Sequence, residues 1–161
     1  MHKAFIGIGS NLGDKRAYCE RALACLDALP KTQLKRVSSF YLTEPTGEKQ
    51  QPWFFNLVAM IETDLAYQEL FFWLKLIETR LGRFPTWDQG PRIIDLDLLL
   101  FDDVVVNTPT LTIPHPRLHQ RGFVLVPLVE VAREEKHPIL KQSFKNLLSQ
   151  TKFKEWVIRV R

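Results

Sequence analysis

Two aspartates one residue apart in an otherwise apolar run are the feature of this 161-residue chain most suited to chemistry. They stand in Gly90-Pro91-Arg92-Ile93-Ile94-Asp95-Leu96-Asp97-Leu98-Leu99-Leu100-Phe101. On a strand, Asp95 and Asp97 share one face, roughly 7 Å apart, while Leu96, Leu98 and Leu100 take the other. Carboxylates in such a setting are costly unless paired or bound to a cation. Their hard oxygens suit Mg²⁺, which takes one or two protein carboxylates and completes its shell with substrate phosphates. Arg92, at the mouth of the strand, can pair with phosphate or with the carboxylates themselves. The competing reading is a solvated edge strand that happens to carry two acids. The leucines argue for a buried strand instead.

Pro114-His115-Pro116-Arg117-Leu118-His119-Gln120-Arg121-Gly122-Phe123 gathers two histidines and two arginines, a composition that suits a polyanion such as a triphosphate. A basic surface loop explains it equally well. His115 and His119 have metal-pair spacing, but no third soft ligand accompanies them and Pro116 breaks the local pattern. Thr43-Glu44-Pro45-Thr46-Gly47, followed by Gln51-Pro52-Trp53-Phe54-Phe55-Asn56, sets rings beside an amide. Such a set can sandwich and hydrogen-bond a planar heterocycle, although rings of this kind are more often core residues. Ile6-Gly7-Ile8-Gly9-Ser10-Asn11-Leu12-Gly13 is neither a dinucleotide fingerprint nor a P-loop. Its glycines read as close packing and a strand-to-helix turn.

The elements that must position these groups follow from periodicity. Lys3–Gly9 reads as a buried strand, and Asp14–Leu29 as a helix ended by Pro30. Leu34–Leu42 and Phe54–Glu62 read as strands, separated by the Pro- and Gly-containing loop Thr43–Pro52. Tyr67–Leu81 is an amphipathic helix with Leu70, Trp73, Leu74, Ile77 and Leu81 at core spacing. After the loop Gly82–Pro91 comes the strand Ile93–Phe101, a turn at Asp102-Asp103, and a short strand Val104–Val106. Val124–Ala132 and Ser143–Leu148 read as short helices and Glu155–Arg161 as a final strand. The leading order, β-α-β-β-α-β, is that of an α+β ferredoxin-like sandwich with a mainly antiparallel sheet and C-terminal additions. Helices are expected on one face of that sheet.

Length fits a single domain over residues 1–161. The composition, 45% hydrophobic and 25% charged, is that of a globular protein. No 18-residue apolar run suggests a membrane span and no secretory signal pattern opens the chain. Cys19 and Cys25 fall on different faces of one helix, so they do not bridge each other, and a reducing cytoplasm is the simplest compartment. The net charge of +4 is spread along the chain without a block of like charges. That weakens nucleic-acid and anionic-membrane readings and leaves an anionic small substrate.

Taken in order, several segments resemble the 6-hydroxymethyl-7,8-dihydropterin pyrophosphokinase family of folate biosynthesis. They are Ile8-Gly9-Ser10-Asn11-Leu12-Gly13, Ser38-Ser39-Phe40-Tyr41, Gln51-Pro52 to Asn56, Gly90-Pro91-Arg92 to Asp97, Pro114-His115 and Arg121-Gly122-Phe123. The resemblance implies a ferredoxin-like monomer that moves the β,γ-pyrophosphoryl unit of ATP to the hydroxymethyl group of the pterin and releases AMP. It implies that Asp95 and Asp97 hold two Mg²⁺ ions. Arg83, Arg92, His115 and Arg121 fall where the family contacts the triphosphate, Arg83 and Arg92 joining the two acids as catalytic residues. Glu78, Leu98 and Thr112 fall on the adenine and ribose side. Asn56 and the backbone of Thr43 and Thr46 fall where the family reads the pterin edge, beside Asp95, with Phe54 and Phe123 stacking on the pterin faces.

The loop Gly82–Gln89 departs from the family pattern. Phe84-Pro85-Thr86 stands where a further basic pair is common, and Gln89 stands where Trp usually precedes Gly-Pro-Arg, with Trp87 two residues earlier. The loops Thr43–Pro52 and Gly82–Gln89 are expected to act as lids. Alternatives at this stage are an RNA-binding module on the same fold, a pterin-binding paralogue without catalysis, and an ordinary kinase that releases ADP.

Overall fold

The computed structural model describes residues 1–83 and 90–160. Most of the departing loop, including Gln89 and Trp87, therefore lies outside the described residues. The chain runs β1 (His2–Ser10), α1 (Lys15–Asp27), β2 (Thr32–Val37), β3 (Phe40–Thr43), β4 (Phe54–Thr63), α2 (Tyr67–Arg80) and β5 (Asp95–Phe101). It continues through β6 (Val106–Asn107), β7 (Thr112–Ile113), a 3₁₀ turn (Leu118–Gln120), α3 (Gly122–Val131), α4 (Phe144–Gln150) and β8 (Val157–Val160). The expected β-α-β-β-α-β order holds, and the sheet is antiparallel, with strand order β5-β1-β4-β3-β8. It is a ferredoxin-like α+β fold.

The stretch 34–42, expected as one strand, is two. β2 pairs with residues 59–63 of β4, and β3 with residues 54–56, along the same edge. Ser38 and Ser39 interrupt them because their hydroxyls compete with the ladder for backbone partners. Ser38 Oγ accepts from Val58 N at 2.9 Å, while Ser39 N and Oγ both donate to the Glu130 carboxylate at 3.1 and 3.0 Å. β6 starts two residues later than expected and ends one later, and it pairs with β7, which has too few residues to show a period.

Helices cover both faces, not one. α1 and α2 bury Cys19, Ala22, Leu26, Leu70, Leu74 and Ile77 against Ala4, Ile6, Ile8, Leu57, Ala59, Ile61, Leu96 and Leu98. α3 and α4 bury Val124, Leu125, Leu128, Phe144 and Leu147 against Phe5, Val58, Met60 and Leu99 on the opposite face. α3 is apolar enough to need a sheet surface, and the first face is already occupied, while α4 packs chiefly on α3 and the 3₁₀ turn. Each fully buried Leu, Ile or Phe contributes about 1.5–3 kcal/mol of transfer free energy, so both layers matter to stability.

Capping fixes the helix starts. The Asp14 side chain accepts from Ala17 N, and the Ser143 hydroxyl accepts from Asn146 N, each at 3.1 Å. Gly13, at φ 69°, makes the turn into α1 that a Cβ would strain. Between β1 and β5 the register shifts at Phe5/Ile6, and Leu99 is the extra residue on β5. Its carbonyl accepts from His115 N at 3.0 Å, which ties the His115 segment to the strand carrying the acids.

Candidate active site

The site is a row of residues across three strands. Gly9 lies opposite Asp95 on one side and Asn56 on the other, and Gly7 lies opposite Asp97 and Val58. Directly opposed residues share a face, so two acids and an amide flank a strip with no side chains. This is the α3 face, beyond the part that α3 covers. One cavity is lined by Gly7, Gly9, Asn56, Asp95 and Asp97 at its floor, with Phe54, Phe123, Arg92 and the Thr43–Thr46 segment around it. The two glycines therefore do more than permit close packing. They are the floor, and a Cβ on Gly9 would stand 2.6 Å from Asn56 Oδ1.

Asn56 is aimed from behind: its amide nitrogen donates to Thr43 Oγ1 at 2.7 Å. With the amide nitrogen on Thr43, Oδ1 stands against Gly9. Arg92 Cζ lies 5.0 Å from the centroid of Phe54, and Arg121 Cζ lies 5.5 Å from that of Phe123. Each ring that faces the cavity thus carries a guanidinium on it, a cation–π arrangement that also orients the cation.

The two acids differ in charge environment. Asp95 accepts from Arg83 at 2.8 Å and sits 3.6 Å from Arg92 Nε. Burial would raise its carboxyl, but Arg92, then Arg83 and Lys75, outweigh burial and hold it below the ordinary value. Asp97 is pushed up to about 7, first by burial and then by the neighbouring Asp95 charge, against the pull of Lys75 and Arg121. A second carboxylate is thus held beside the first with too little positive charge to match it. Hard oxygen donors with unmatched negative charge, on the open side of a strand, fit a divalent cation that arrives with phosphate. Among the described residues no cluster of three or more His, Cys, Asp or Glu forms a ready-made metal cage.

On the other side of Asp97, Leu98, Thr112 and His115 line a second depression with Phe71, Lys75 and Pro116. Burial and then Arg121 lower the His115 imidazole to about 4, so it is neutral near pH 7. Its Nδ1 accepts from Arg117 N at 3.4 Å, which leaves Nε2 as the nitrogen bearing hydrogen. His115 is therefore a neutral donor, not the cation that the basic cluster suggests. Glu78 is not in that lining. It is 5% exposed and accepts from Leu96 N at 2.7 Å and Arg83 Nη1 at 3.0 Å. Its place is beneath the site, where it holds Arg83 against Asp95.

Several residues act through others. Asn11, 2% exposed, accepts from Arg92 N at 2.8 Å and donates to Gln51 Oε1 at 2.8 Å and Pro52 O at 2.9 Å. One amide thereby joins the Arg92 segment to the loop before Phe54. Lys75 donates to Leu96 O at 3.3 Å and lies within electrostatic reach of both acids. Lys75 was not singled out in the sequence because it reads as an ordinary solvated helix position. Its i,i+3 spacing to Glu78 is the signal that could have found it.

Fold and cavity together define a ferredoxin-like α+β protein with an acid-floored cavity edged by aromatic rings and guanidinium groups. Residues 5–133 match the family described as 7,8-dihydro-6-hydroxymethylpterin-pyrophosphokinase (HPPK). The chain belongs to that family. It is 38% identical over 138 residues to the 2-amino-4-hydroxy-6-hydroxymethyldihydropteridine pyrophosphokinase of Pseudomonas aeruginosa, covering 86% of this chain and 85% of that protein. It is 39% identical over 140 residues to the folic acid synthesis protein fol1 of Pneumocystis carinii, covering 84% of this chain and 18% of the longer one. The crystal structure of wild-type HPPK-DHPS from Plasmodium falciparum superposes with a TM-score of 0.74 at 15% identity, covering 92% of this chain and 44% of that one. The chain thus spans most of some relatives and under half of others.

Proposed function

We propose that this protein transfers the pyrophosphoryl unit of Mg-ATP to the hydroxymethyl group of 6-hydroxymethyl-7,8-dihydropterin and releases AMP. The observation that carries the reading is the glycine floor, with Asp95 and Asp97 on one side, Asn56 on the other, and Phe54 and Phe123 around it. A flat bicyclic ring would stack on the two aromatic side chains that line the cavity, and its amide-like edge would meet Asn56 and the backbone near Thr43 and Thr46. Asp95 and Asp97 would hold two Mg²⁺ ions, which supply charge neutralisation and alignment when bound with ATP.

The remaining chemistry belongs to the chain. Arg83, Arg92 and Arg121 provide fixed positive charge for the triphosphate, and neutral His115 adds a hydrogen bond without adding charge. Leu98 and Thr112 take the nucleoside side. Asp95, which lines the same cavity, would also meet the pterin hydroxymethyl and so serve both substrates. Positioning of the two reactants supplies most of the catalysis in phosphoryl transfer of this kind. The enzyme acts as a cytoplasmic monomer on two small molecules, without nucleic acid or membrane. No helix among the described residues is long and apolar enough to cross a membrane.

The test is to incubate the protein with Mg-ATP and the pterin and identify the nucleotide formed. AMP with a pterin diphosphate is expected. ADP, or no consumption of either substrate, overturns the proposal.

A further inference from the structure

The family match ends at residue 133, yet residues 151–160 reach both walls of the pterin cavity. At one wall, the Phe153 ring occupies the space beside Gly122. A Cβ on Gly122 would meet three atoms of that ring at 2.5–2.6 Å. Gly122 opens α3, and the next two residues, Phe123 and Val124, line the cavity. At the other wall, Trp156 N donates to Glu44 Oε1 at 2.7 Å, and Glu44 N donates to Trp156 O at 3.1 Å. Glu44 and its neighbour Thr43 line the same cavity, and Thr43 pairs with Val157 in the sheet. The segment is anchored where it begins, since the Thr151 hydroxyl is within 2.9 Å of His119 O and 2.7 Å of Leu147 O.

We propose that this segment sets the width of the pterin cavity, with Phe153 as a positioning residue for the flat substrate. The inference rests on the pterin reading of the site. A ring against bare backbone fixes how closely the segment approaches the start of α3, while the Glu44 pair fixes where the same segment meets β3. The spacing between the Phe123 wall and the Thr43–Glu44 wall is thereby set by residues 151–160, none of which lines the cavity. A methyl on Gly122 would force the ring and helix apart by about 1 Å, since carbon contacts need 3.5–4.0 Å. A displacement of that size is enough to cost about 10²-fold where a reactant must be held in place. The nucleoside side stands apart from this device: Leu98, Thr112 and His115 make none of the contacts named above, and of the residues assigned to the triphosphate only Arg121 adjoins Gly122.

The experiment is a double-mutant cycle in the full chain on Gly122→Ala and Phe153→Ala. It reads kcat, KM for each substrate, equilibrium binding of the pterin by its own fluorescence, and thermal unfolding. Phe153→Ala is expected to raise the pterin KM and dissociation constant about 10-fold, leaving the Mg-ATP KM within about twofold. Gly122→Ala alone is expected to cost about 10²-fold in kcat/KM for the pterin, and to add almost nothing once Phe153 is alanine. If Gly122→Ala alone fails to fold, recovery of a folded, pterin-binding protein in the double variant supports the same coupling, and its absence overturns it. Equal costs of Gly122→Ala in both backgrounds, or parallel losses for both substrates, overturn the proposal while leaving the proposed activity standing. A wild-type protein that neither binds nor converts the pterin sinks both.

Discussion

The two faces of the sheet are made by alternate residues of the same strands and serve opposite ends. Toward α1 and α2, the residues Ala4, Ile6 and Ile8, Leu57, Ala59 and Ile61, and Leu96 and Leu98 form an unbroken apolar layer. On the other face, Phe5, Met60, Val58 and Leu99 begin a similar layer under α3 and α4. That layer then gives way to Gly7, Gly9, Asn56, Asp95 and Asp97. The difference teaches how a small domain keeps charge near its centre. One face supplies the burial free energy, which leaves half of the other free to be bare and acidic. The two-residue period of a strand separates the roles, so neighbours in sequence should respond differently to substitution.

The largest test of that separation is Asp97→Ala. The fold should persist, as judged by its circular dichroism and thermal transition, while turnover falls by about 10³-fold or more through loss of the carboxylate proposed to hold metal. Near-wild-type turnover would end the metal role. On the dry face, Ile61→Ala should lower unfolding free energy by about 2–5 kcal/mol in denaturant titration, with kcat/KM little changed below the transition. A selective loss of activity there would break the division between faces.

Gly9→Ala and Gly7→Ala sharpen the comparison within the site. The Gly9 methyl would meet Asn56 Oδ1 at 2.6 Å, whereas the Gly7 methyl would make ordinary contact with Leu99 at 3.5 Å. Steady-state kinetics should therefore show a loss of about 10²-fold in pterin kcat/KM for the first and a distinctly smaller loss for the second.

The smallest expected effect is on stability and pH. Asp97 holds its proton more tightly in the folded chain, because burial and the Asp95 charge push its carboxyl from the ordinary range up to about 7. The metal-free fold should therefore lose stability as pH rises from about 4 to 7 and level off above. Asp97→Asn should remove that slope and stabilise the metal-free protein by about 1–2 kcal/mol at pH 8, while abolishing turnover. Asp95 works in the opposite direction: its lowered pKa lends stability that is lost in acid, below its ordinary value. Thermal unfolding of both proteins from pH 4 to 8, in chelator, reads the difference. A slope shared by wild type and Asp97→Asn would remove Asp97 as its source.

Much of this was legible in the chain. The period-two run around Asp95 and Asp97 placed both acids on one face, and helical spacing identified Leu70, Leu74 and Ile77 as core. The order of elements defined the sandwich. The break between β2 and β3 was not legible, because β propensity continues across Ser38 and Ser39 and the partner that draws them out, Glu130, lies about ninety positions away. The second helical layer was missed for a similar reason: α3 and α4 show in the sequence, but the face they cover does not. Glu78 reads as one more acid on a helix, until burial and its bonds to Arg83 and Leu96 N place it under the site.

By itself, then, the sequence determined what depends on neighbours along the chain: strand faces, helix stripes, caps, and the pairing of two acids on one strand. Only the tertiary structure decided which charges meet, which acid is left with excess charge, and what a side chain at Gly9 or Gly122 would displace. Those outcomes depend on distances between segments far apart in sequence. Local periodicity carries no information about them, whereas Coulomb forces and steric contact depend on little else.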